Sequence, residues 1–220
     1  MQPATRVKIC GMKSVDDIDI AVKCGADAVG FITEVAVDTP RNLDMEFSTE
    51  LINATPPFVT TVMVIMPESI AHAKKLVSNA RPDMVQVHST ADTELLTALR
   101  TMHVRIIQKF SISDKTMVLE TIKIINELAE CNLIDSAILD TACSSGGGSG
   151  LTHDWKISSE VAKNIPVPLI VAGGLNPQNV GKCVDIVSPY GVDVASGVEV
   201  KGKKDLNHVC DFIRAVRCSN

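Results

Sequence analysis

The stretch RVKICGM, residues 6–12, forms the first regular element of the chain. Val7 and Ile9 alternate with polar residues, a period of two that predicts a short strand. The strand ends on Cys10, and Gly11 follows at once as a turn residue. In a parallel α/β sheet ligands bind at the carboxyl ends of the strands, so a thiol in this place is a candidate functional group. Taken alone, a cysteine is more often a small buried apolar residue than a reactive one.

Beyond this stretch, short apolar segments alternate with longer segments of helical spacing. The predicted strands cover 6–10, 27–32, 58–65, 83–88, 104–110, 136–140, 168–173 and 192–196. The predicted helices cover 14–25, a short one near 47–54, then 67–80, 91–102, 114–130, 155–165, 176–187 and 205–216. Such regular alternation is typical of a parallel sheet with crossover helices. We therefore predict an α/β fold, a single-domain (β/α)8 TIM barrel over residues 1–220, and favour it over a doubly wound open sheet.

The sequence contains capping signals for the start of two helices, the first and the seventh. Ser14 is a predicted N-cap, and Gly25 is placed to end the helix that Ser14 begins. Asn176 is the predicted cap of the seventh helix, with Pro177 at its first position, where the missing N–H costs nothing.

Composition narrows the functional classes. The chain has 220 residues, of which 45% are hydrophobic, and a formal net charge of −5. The acidic balance argues against nucleic acid as a partner, because a nucleic-acid binder presents a basic face. Charges or prolines interrupt every apolar run before it reaches membrane-spanning length, so we expect no membrane partner and no signal peptide. The sequence contains no clear interface motif and leaves the oligomeric state open.

The chain has seven cysteines, widely spaced and without a CxxC pair. This pattern supports neither a zinc site nor a disulfide framework. We expect reduced thiols and a cytoplasmic location.

Two glycine-containing loops follow the last two predicted strands. Gly173 and Gly174 precede the seventh helix, and Ser196 and Gly197 open a predicted short helical turn. Glycines let backbone N–H groups approach an anion, and these are the loops that bind phosphate in many TIM barrels. Either pair could simply form a tight turn, but together they predict a phosphate site.

Three further polar side chains are expected at the same mouth. Asp140 ends the sixth strand, His88 leaves the fourth, and Arg41 lies in the long loop after the second. Asp140 could be a turn former, Arg41 a surface charge, and His88 a hydrogen-bonded residue rather than a catalyst. The presence of both Asp140 and Cys10 favours a functional interpretation. A carboxyl group and a thiol on opposite strands of the barrel can act on two sides of a substrate.

The motifs KICGM, TPRNL, VQVH, LDT with GGGSGLTHDW, AGGLNPQNV, and GVDVASGVE with KGKKD occur in this order over nearly the whole chain. In this the sequence closely resembles the phosphoribosylanthranilate isomerase family of tryptophan biosynthesis. The resemblance implies a TIM barrel that performs an Amadori rearrangement of a phosphoribosyl substrate without a metal or an organic cofactor. It implies Cys10 as general base, Asp140 as general acid, Arg41 as the anchor of the substrate carboxylate, and phosphate binding at Gly173, Gly174, Ser196 and Gly197. His88 is an expected substrate-binding residue.

Some positions depart from the family pattern. The loop between Phe31 and Thr39 is about two residues longer than the family's usual loop, Ser89 replaces the usual glycine after His88, and Leu151 replaces a lysine. Two alternatives stay open. One is another phosphosugar isomerase on the same barrel, acting on a substrate with two phosphates. The other is a non-catalytic barrel that binds phosphate ligands.

Overall fold

The computed structural model describes residues 4–112, 115–141 and 154–219. Eight parallel strands close into a barrel in the order β1 to β8, with β1 paired to β8. The strands are β1 Arg6–Cys10, β2 Ala28–Ile32, β3 Thr60–Ile65, β4 Met84–Val87, β5 Arg105–Ile112, β6 Ser136–Thr141, β7 Leu169–Val171 and β8 Gly191–Val194. The predicted TIM barrel is confirmed, and the open sheet is wrong because the first and last strands are hydrogen-bonded neighbours.

A helix follows each strand. The helices are α1 Val15–Cys24, α2 Met45–Ala54, α3 Ile70–Ala80, α4 Thr93–Arg100, α5 Val118–Glu130, α6 Trp155–Asn164, α7 Val180–Val187 and α8 Leu206–Cys218. Short 3-10 turns cover Lys115–Met117 and Ser196–Val198, and a two-stranded ribbon pairs β9 Glu199–Val200 with β10 Lys203–Lys204. The second helix, expected to be short, is as long as α1.

Both faces of the barrel strands are buried, and they bury different residues. The outward face carries residues such as Ile9 and Phe31, which pack against the helices in the larger apolar core. A smaller core inside the barrel consists of Val62, Ile107, Ile138, Ile170 and Ala172. Because side chains alternate along a strand, Lys8 and Cys10 point inward together while Ile9 points outward.

The observed N-caps confirm the predicted start of α1 and show that the predicted start of α7 is wrong. The Ser14 side chain accepts a hydrogen bond from the N–H of Asp17, so the predicted N-cap of α1 is confirmed. The start of α7 is predicted too early, since its N-cap is Asn179. The Asn176 side chain accepts from the N–H groups of Gln178 and Asn179, and it holds a turn that precedes the helix.

The expectation that all thiols are reduced is wrong for one pair. Cys24 on α1 and Cys210 on α8 form a disulfide, with Cα atoms 4.8 Å apart. These helices are neighbours because β1 and β8 meet where the barrel closes. The two bonded cysteines are 186 residues apart in the sequence. A spacing of that size carries no pairing signal. Among the other described cysteines, Cys10, Cys131, Cys183 and Cys218 are free thiols.

Within the three described ranges, no helix combines the length and apolar character needed to cross a bilayer.

Candidate active site

A pocket of about 430 Å³ opens at the carboxyl ends of the barrel strands. This size suits a small organic ligand. All of the predicted site residues line it, namely Cys10, Arg41, His88, Asp140, Gly173, Gly174, Ser196 and Gly197. Its wall near β2 and β3 is apolar and consists of Ile32, Val35, Val37, Val64 and Met66. The sequence therefore predicted which residues meet, and the structure shows which side of the pocket each one takes.

Cys10 lies at the end of β1 and is only 5% exposed. Gly30 on the neighbouring β2 makes room for it, because a Cβ at Gly30 would lie 2.7 Å from Cys10 Sγ and 3.0 Å from Lys8 Cε. The thiol and the Lys8 side chain thus share one small space inside the barrel. Lys8 and Cys10 therefore occupy the same face of the strand.

Burial raises the pKa of Cys10 above its ordinary value. The ammonium groups of Lys8 and Lys204 act in the opposite direction, and the carboxylate of Asp193 adds to the increase. In the free protein the balance favours the thiol at neutral pH. The two lysines are nevertheless the groups that make a thiolate accessible here, since a nearby positive charge stabilises it.

Lys8 is itself held by a buried polar network that the sequence analysis did not identify. Its Nζ donates to Gln86 Oε1 at 2.9 Å and forms an ion pair with Asp193 Oδ1 at 3.1 Å. Burial opposes the charge of Lys8, but the influence of Asp193 and Cys10 outweighs it and raises the pKa of Lys8. A signal was present in the sequence, because Lys8, Gln86 and Asp193 each interrupt an apolar strand at an inward position.

Arg41 faces the pocket but is already engaged by a carboxylate. Its Nε and Nη2 donate to the two oxygens of Glu199 at 2.8 and 2.6 Å. Lys204 Nζ donates to the same carboxylate at 2.7 Å. Burial works against ionisation of Glu199, yet the Arg41 hydrogen bonds and the Lys204 charge outweigh it and lower its pKa to about 2. The paired Nε and Nη2 leave Nη1 as the edge of Arg41 on which a substrate contact would depend.

Asp140 and His88 face each other on the other side of the pocket. Their Oδ2 and Nε2 atoms are 4.0 Å apart, and the Asp140 side chain is about one-quarter exposed. Burial, followed by the charges of Lys109 and Lys8, lowers the pKa of His88 to about 4. His88 is therefore a neutral imidazole at pH 7, and its contact with Asp140 is not an ion pair.

The backbone of the two glycine loops has a conformation and a close contact that require glycine. Gly173 and Gly174 have φ values of 87° and 64°, which L side chains adopt only with strain. A Cβ at Gly197 would overlap the carbonyl oxygen of Leu175, so only glycine lets these two loops approach so closely. Ser196 begins the predicted short helical turn, which is confirmed as a 3-10 turn.

The glycine-rich part of the GGGSGLTHDW motif and the replacement at Leu151, both identified in the sequence, lie outside the described residues. Within the described part of the chain, no group of three or more His, Cys, Asp or Glu side chains is placed to hold a metal ion.

The family model for N-(5'phosphoribosyl)anthranilate (PRA) isomerase matches residues 7–215. The chain belongs to this family. The predicted family is thereby confirmed over nearly the whole length of the sequence.

Named PRA isomerases are similar along their full length. The N-(5'-phosphoribosyl)anthranilate isomerase 1 of Methanosarcina mazei is 43% identical, and the match covers 98% of this chain and 96% of that protein. The N-(5'-phosphoribosyl)anthranilate isomerase of Haloferax volcanii is 41% identical, with coverage of 97% and 93%.

Solved PRA isomerase structures share the fold. The enzyme from Thermotoga maritima superposes with a TM-score of 0.84 at 30% identity and covers 97% of this chain and 99% of its own. A second structure, in complex with reduced 1-(o-carboxyphenylamino)-1-deoxyribulose 5-phosphate, has a TM-score of 0.81 at 29% identity, with coverage of 97% and 99%. That ligand carries a phosphate at one end and an aromatic carboxylate at the other.

Proposed function

We propose that this chain is an N-(5'-phosphoribosyl)anthranilate isomerase of tryptophan biosynthesis, an aldose–ketose isomerase. It converts the aminoaldose to 1-(2-carboxyphenylamino)-1-deoxyribulose 5-phosphate. The observation that carries the proposal is the convergence of a thiol, a carboxyl group and two glycine loops on one pocket in a member of this family. The catalytic unit is one (β/α)8 domain over residues 1–220.

The rearrangement needs an acid and a base on opposite sides of the ribose. As general acid, Asp140 gives a proton to the furanose ring oxygen, the C1'–O bond breaks, and the nitrogen lone pair forms a Schiff base. As general base, Cys10 in its thiolate form then takes the proton from C2'. The resulting enolamine tautomerises to the ketone. Cys10 lies on β1 and Asp140 on β6, and these strands are well separated in the barrel. The ribose can therefore lie between the two side chains in the pocket.

The ends of the substrate need anchors that hold it in a reactive position. The backbone at Gly173–Gly174 and Ser196–Gly197 is the proposed phosphate site. Arg41 is the proposed anchor of the carboxylate through its Nη1 edge. His88 is the proposed neutral hydrogen-bonding partner of the ribose, because it lies beside Asp140 in the pocket.

The alternatives explain fewer features of the pocket. A substrate with two phosphates requires a second anion site across the barrel, but the loop after β3 is MPES and has no glycine turn. The opposite wall near β2 and β3 is apolar and suits an aromatic ring. A barrel that only binds phosphate has no use for a thiol and a carboxyl group that flank the ligand.

The test is a fluorescence assay with purified protein in metal-free buffer. The anthranilate-derived fluorescence of the substrate is expected to fall with turnover, and the ketose product is expected to form in equal amount. Absence of turnover, with binding of ribose 5-phosphate retained, would favour the non-catalytic barrel.

Phosphorylated sugars are charged and do not cross membranes unaided, so the enzyme works where its substrate is made. We place it in the cytoplasm on that ground. Cell fractionation with a tagged chain tests this placement.

A further inference from the structure

Three polar side chains interrupt the otherwise apolar interior of the barrel near Cys10. Lys8 on β1 and Asp193 on β8 are paired in the strand register, and Gln86 lies on β4. Each of the three is at most 8% exposed. A buried ion pair adds little to the stability of a fold, because the loss of hydration offsets the attraction of the two charges. Filling of the barrel interior therefore does not account for the charges of Lys8 and Asp193.

The Lys8 ammonium group has a donor to spare beside the Cys10 sulfur. Lys8 Cε and Cys10 Sγ both lie within 3.0 Å of the point that a Cβ at Gly30 would occupy, so the two side chains border one space. An ammonium group has three N–H donors, and Lys8 uses one on Gln86 Oε1 at 2.9 Å and one on Asp193 Oδ1 at 3.1 Å. The third makes no hydrogen bond to a residue that the structure describes. It is therefore available to the sulfur when the thiol ionises.

Two other cations face Cys10, and both are committed to carboxylates. Lys204 Nζ donates to Glu199 at 2.7 Å, and Arg41 donates to both oxygens of the same carboxylate. Arg41 is also the proposed anchor of the substrate carboxylate. With substrate bound, these two cations face two carboxylates, so their charges are balanced without the sulfur. Lys8 is then the cation that remains for a Cys10 thiolate.

Asp193 acts on Cys10 in the opposite direction to Lys8. Burial is the main cause that raises the pKa of Cys10; the Lys8 charge lowers that pKa, and the Asp193 charge raises it further. The Asp193 carboxylate holds the same ammonium group that a thiolate would use, and it lines the pocket beside Cys10. The thiolate and this carboxylate thus compete for one buried cation.

We propose that Lys8 and Asp193 are positioning residues that control the protonation of Cys10: the Lys8 ammonium group is the counter-ion of the thiolate, and the Asp193 carboxylate competes for it. This inference deepens the proposed function and rests on it, because it concerns the base of that reaction. It also separates the pair from a purely structural ion pair. Loss of either partner of a structural pair has the same kind of effect, whereas here the two losses have opposite effects on Cys10.

The test measures two rates on the full chain across a pH series. One is the alkylation of Cys10 by iodoacetamide, followed by mass spectrometry, and the other is kcat/KM. The wild type is compared with Lys8→Met and Asp193→Asn. Lys123→Met and Asp211→Asn are the matched controls, since these exposed side chains are 74% and 54% accessible and lie on the outer helices α5 and α8.

Lys8→Met is expected to lower both rates at pH 7 by roughly tenfold or more, because loss of a nearby opposite charge typically moves a pKa by at least one unit. The deficit should shrink as the pH rises and the thiol ionises. Asp193→Asn keeps an oxygen that can accept from Lys8 but removes the competing charge. It should move both inflections to lower pH and raise the alkylation rate at pH 7. The two control variants should match the wild type.

Inflections that stay in place, or that move in the same direction in both variants, would overturn the inference. A loss that is equal at every pH would also overturn it, since this is the profile of a structural role. If Lys8→Met does not fold, because it leaves a buried carboxylate unpaired, the double variant Lys8→Met/Asp193→Asn takes its place. Its inflection should lie above that of the wild type, because Lys8 acts more strongly on Cys10 than Asp193 does. An inflection at or below that of the wild type would contradict the inference.

The two rates also separate this inference from the proposed function. Alkylation needs no substrate, so opposite shifts of the alkylation rate in a protein without turnover would overturn the proposed function and support the charge assignment. Turnover by the wild type, with inflections that do not respond to either substitution, would overturn the inference alone.

Discussion

The two sides of the pocket are organised in different ways. On the side of β1 and β8, the charged groups are paired with one another: Lys8 with Asp193, and Arg41 and Lys204 with Glu199. On the side of β4 and β5, His88 Nδ1 and Lys109 Nζ have no hydrogen-bond partner among the described residues. The first side is preorganised by the protein itself, which suits a group that must be held ready to take a proton. The second side leaves polar groups available to the substrate.

This difference sets the expected order of mutational effects. Removal of the base on the preorganised side should lower turnover most, because it removes the group that takes the C2' proton. Loss of a binding contact should have a smaller effect on activity. A change remote from the pocket should affect stability without affecting turnover.

Cys10→Ser is expected to lower kcat by about two to four orders of magnitude, because a hydroxyl group is a far weaker base than a thiolate. Affinity for the product analogue should change little. Steady-state kinetics and calorimetry measure the two quantities. Cys131→Ser, at an exposed free thiol, is the matched control and should retain full activity. Near-normal turnover by Cys10→Ser would remove the thiol from the mechanism.

Asp140→Asn is expected to lower kcat at least about a hundredfold while product-analogue affinity stays nearly normal, because the amide cannot deliver the proton. A structural Asp140 that holds the following loop gives a different profile. In that case the melting temperature and ligand affinity fall while kcat at saturation changes only modestly. Measurement of stability, ligand affinity and kcat on this variant distinguishes a general acid from a residue with a purely structural role.

Arg41→Ala is expected to weaken binding of carboxylated ligands by roughly tenfold, through loss of a charge-assisted contact, and to weaken ribose 5-phosphate much less. Ser196→Asp should weaken both ligands, because it places like charge beside the phosphate. Competition binding with each ligand checks both variants. Equal losses in Arg41→Ala would show that its role is to hold Glu199.

Cys24→Ser is expected to lower thermal stability with little effect on kcat, because the disulfide lies on the outer helices. Closure of a loop whose ends are 186 residues apart stabilises a protein by at most on the order of 5 kcal/mol in the chain-entropy view. Calorimetry with and without reductant measures the change, and the reductant should have no effect on the variant. A large loss of kcat in Cys24→Ser would show that the disulfide between α1 and α8 also determines the shape of the pocket.

The sequence predicted the barrel well because its signals are local. Strand alternation, capping at Ser14 and the turn at Ser196 each depend on a few neighbouring residues, and the structure confirms them. The residues at the pocket were predicted because strand ends meet at one edge in this fold.

The parts that the sequence did not predict depend on distant partners. Arg41 meets Glu199 across 158 positions, and Lys8 meets Asp193 across 185. No local pattern encodes such a pairing, so the engagement of Arg41 and the charge environment of Cys10 appear only in the fold. The pairing of Cys24 with Cys210 was missed for the same reason.

The central claim is that Cys10 is the base, and its titration tests this most directly. Alkylation of Cys10 by iodoacetamide, followed by mass spectrometry, and kcat/KM are measured on the same protein across a pH series. Because burial raises the pKa of Cys10, both rates are expected to rise with pH through one shared inflection above the range of an unperturbed cysteine, and to fall together as the thiolate is protonated at lower pH. A kcat/KM that stays flat while Cys10 titrates would contradict the account.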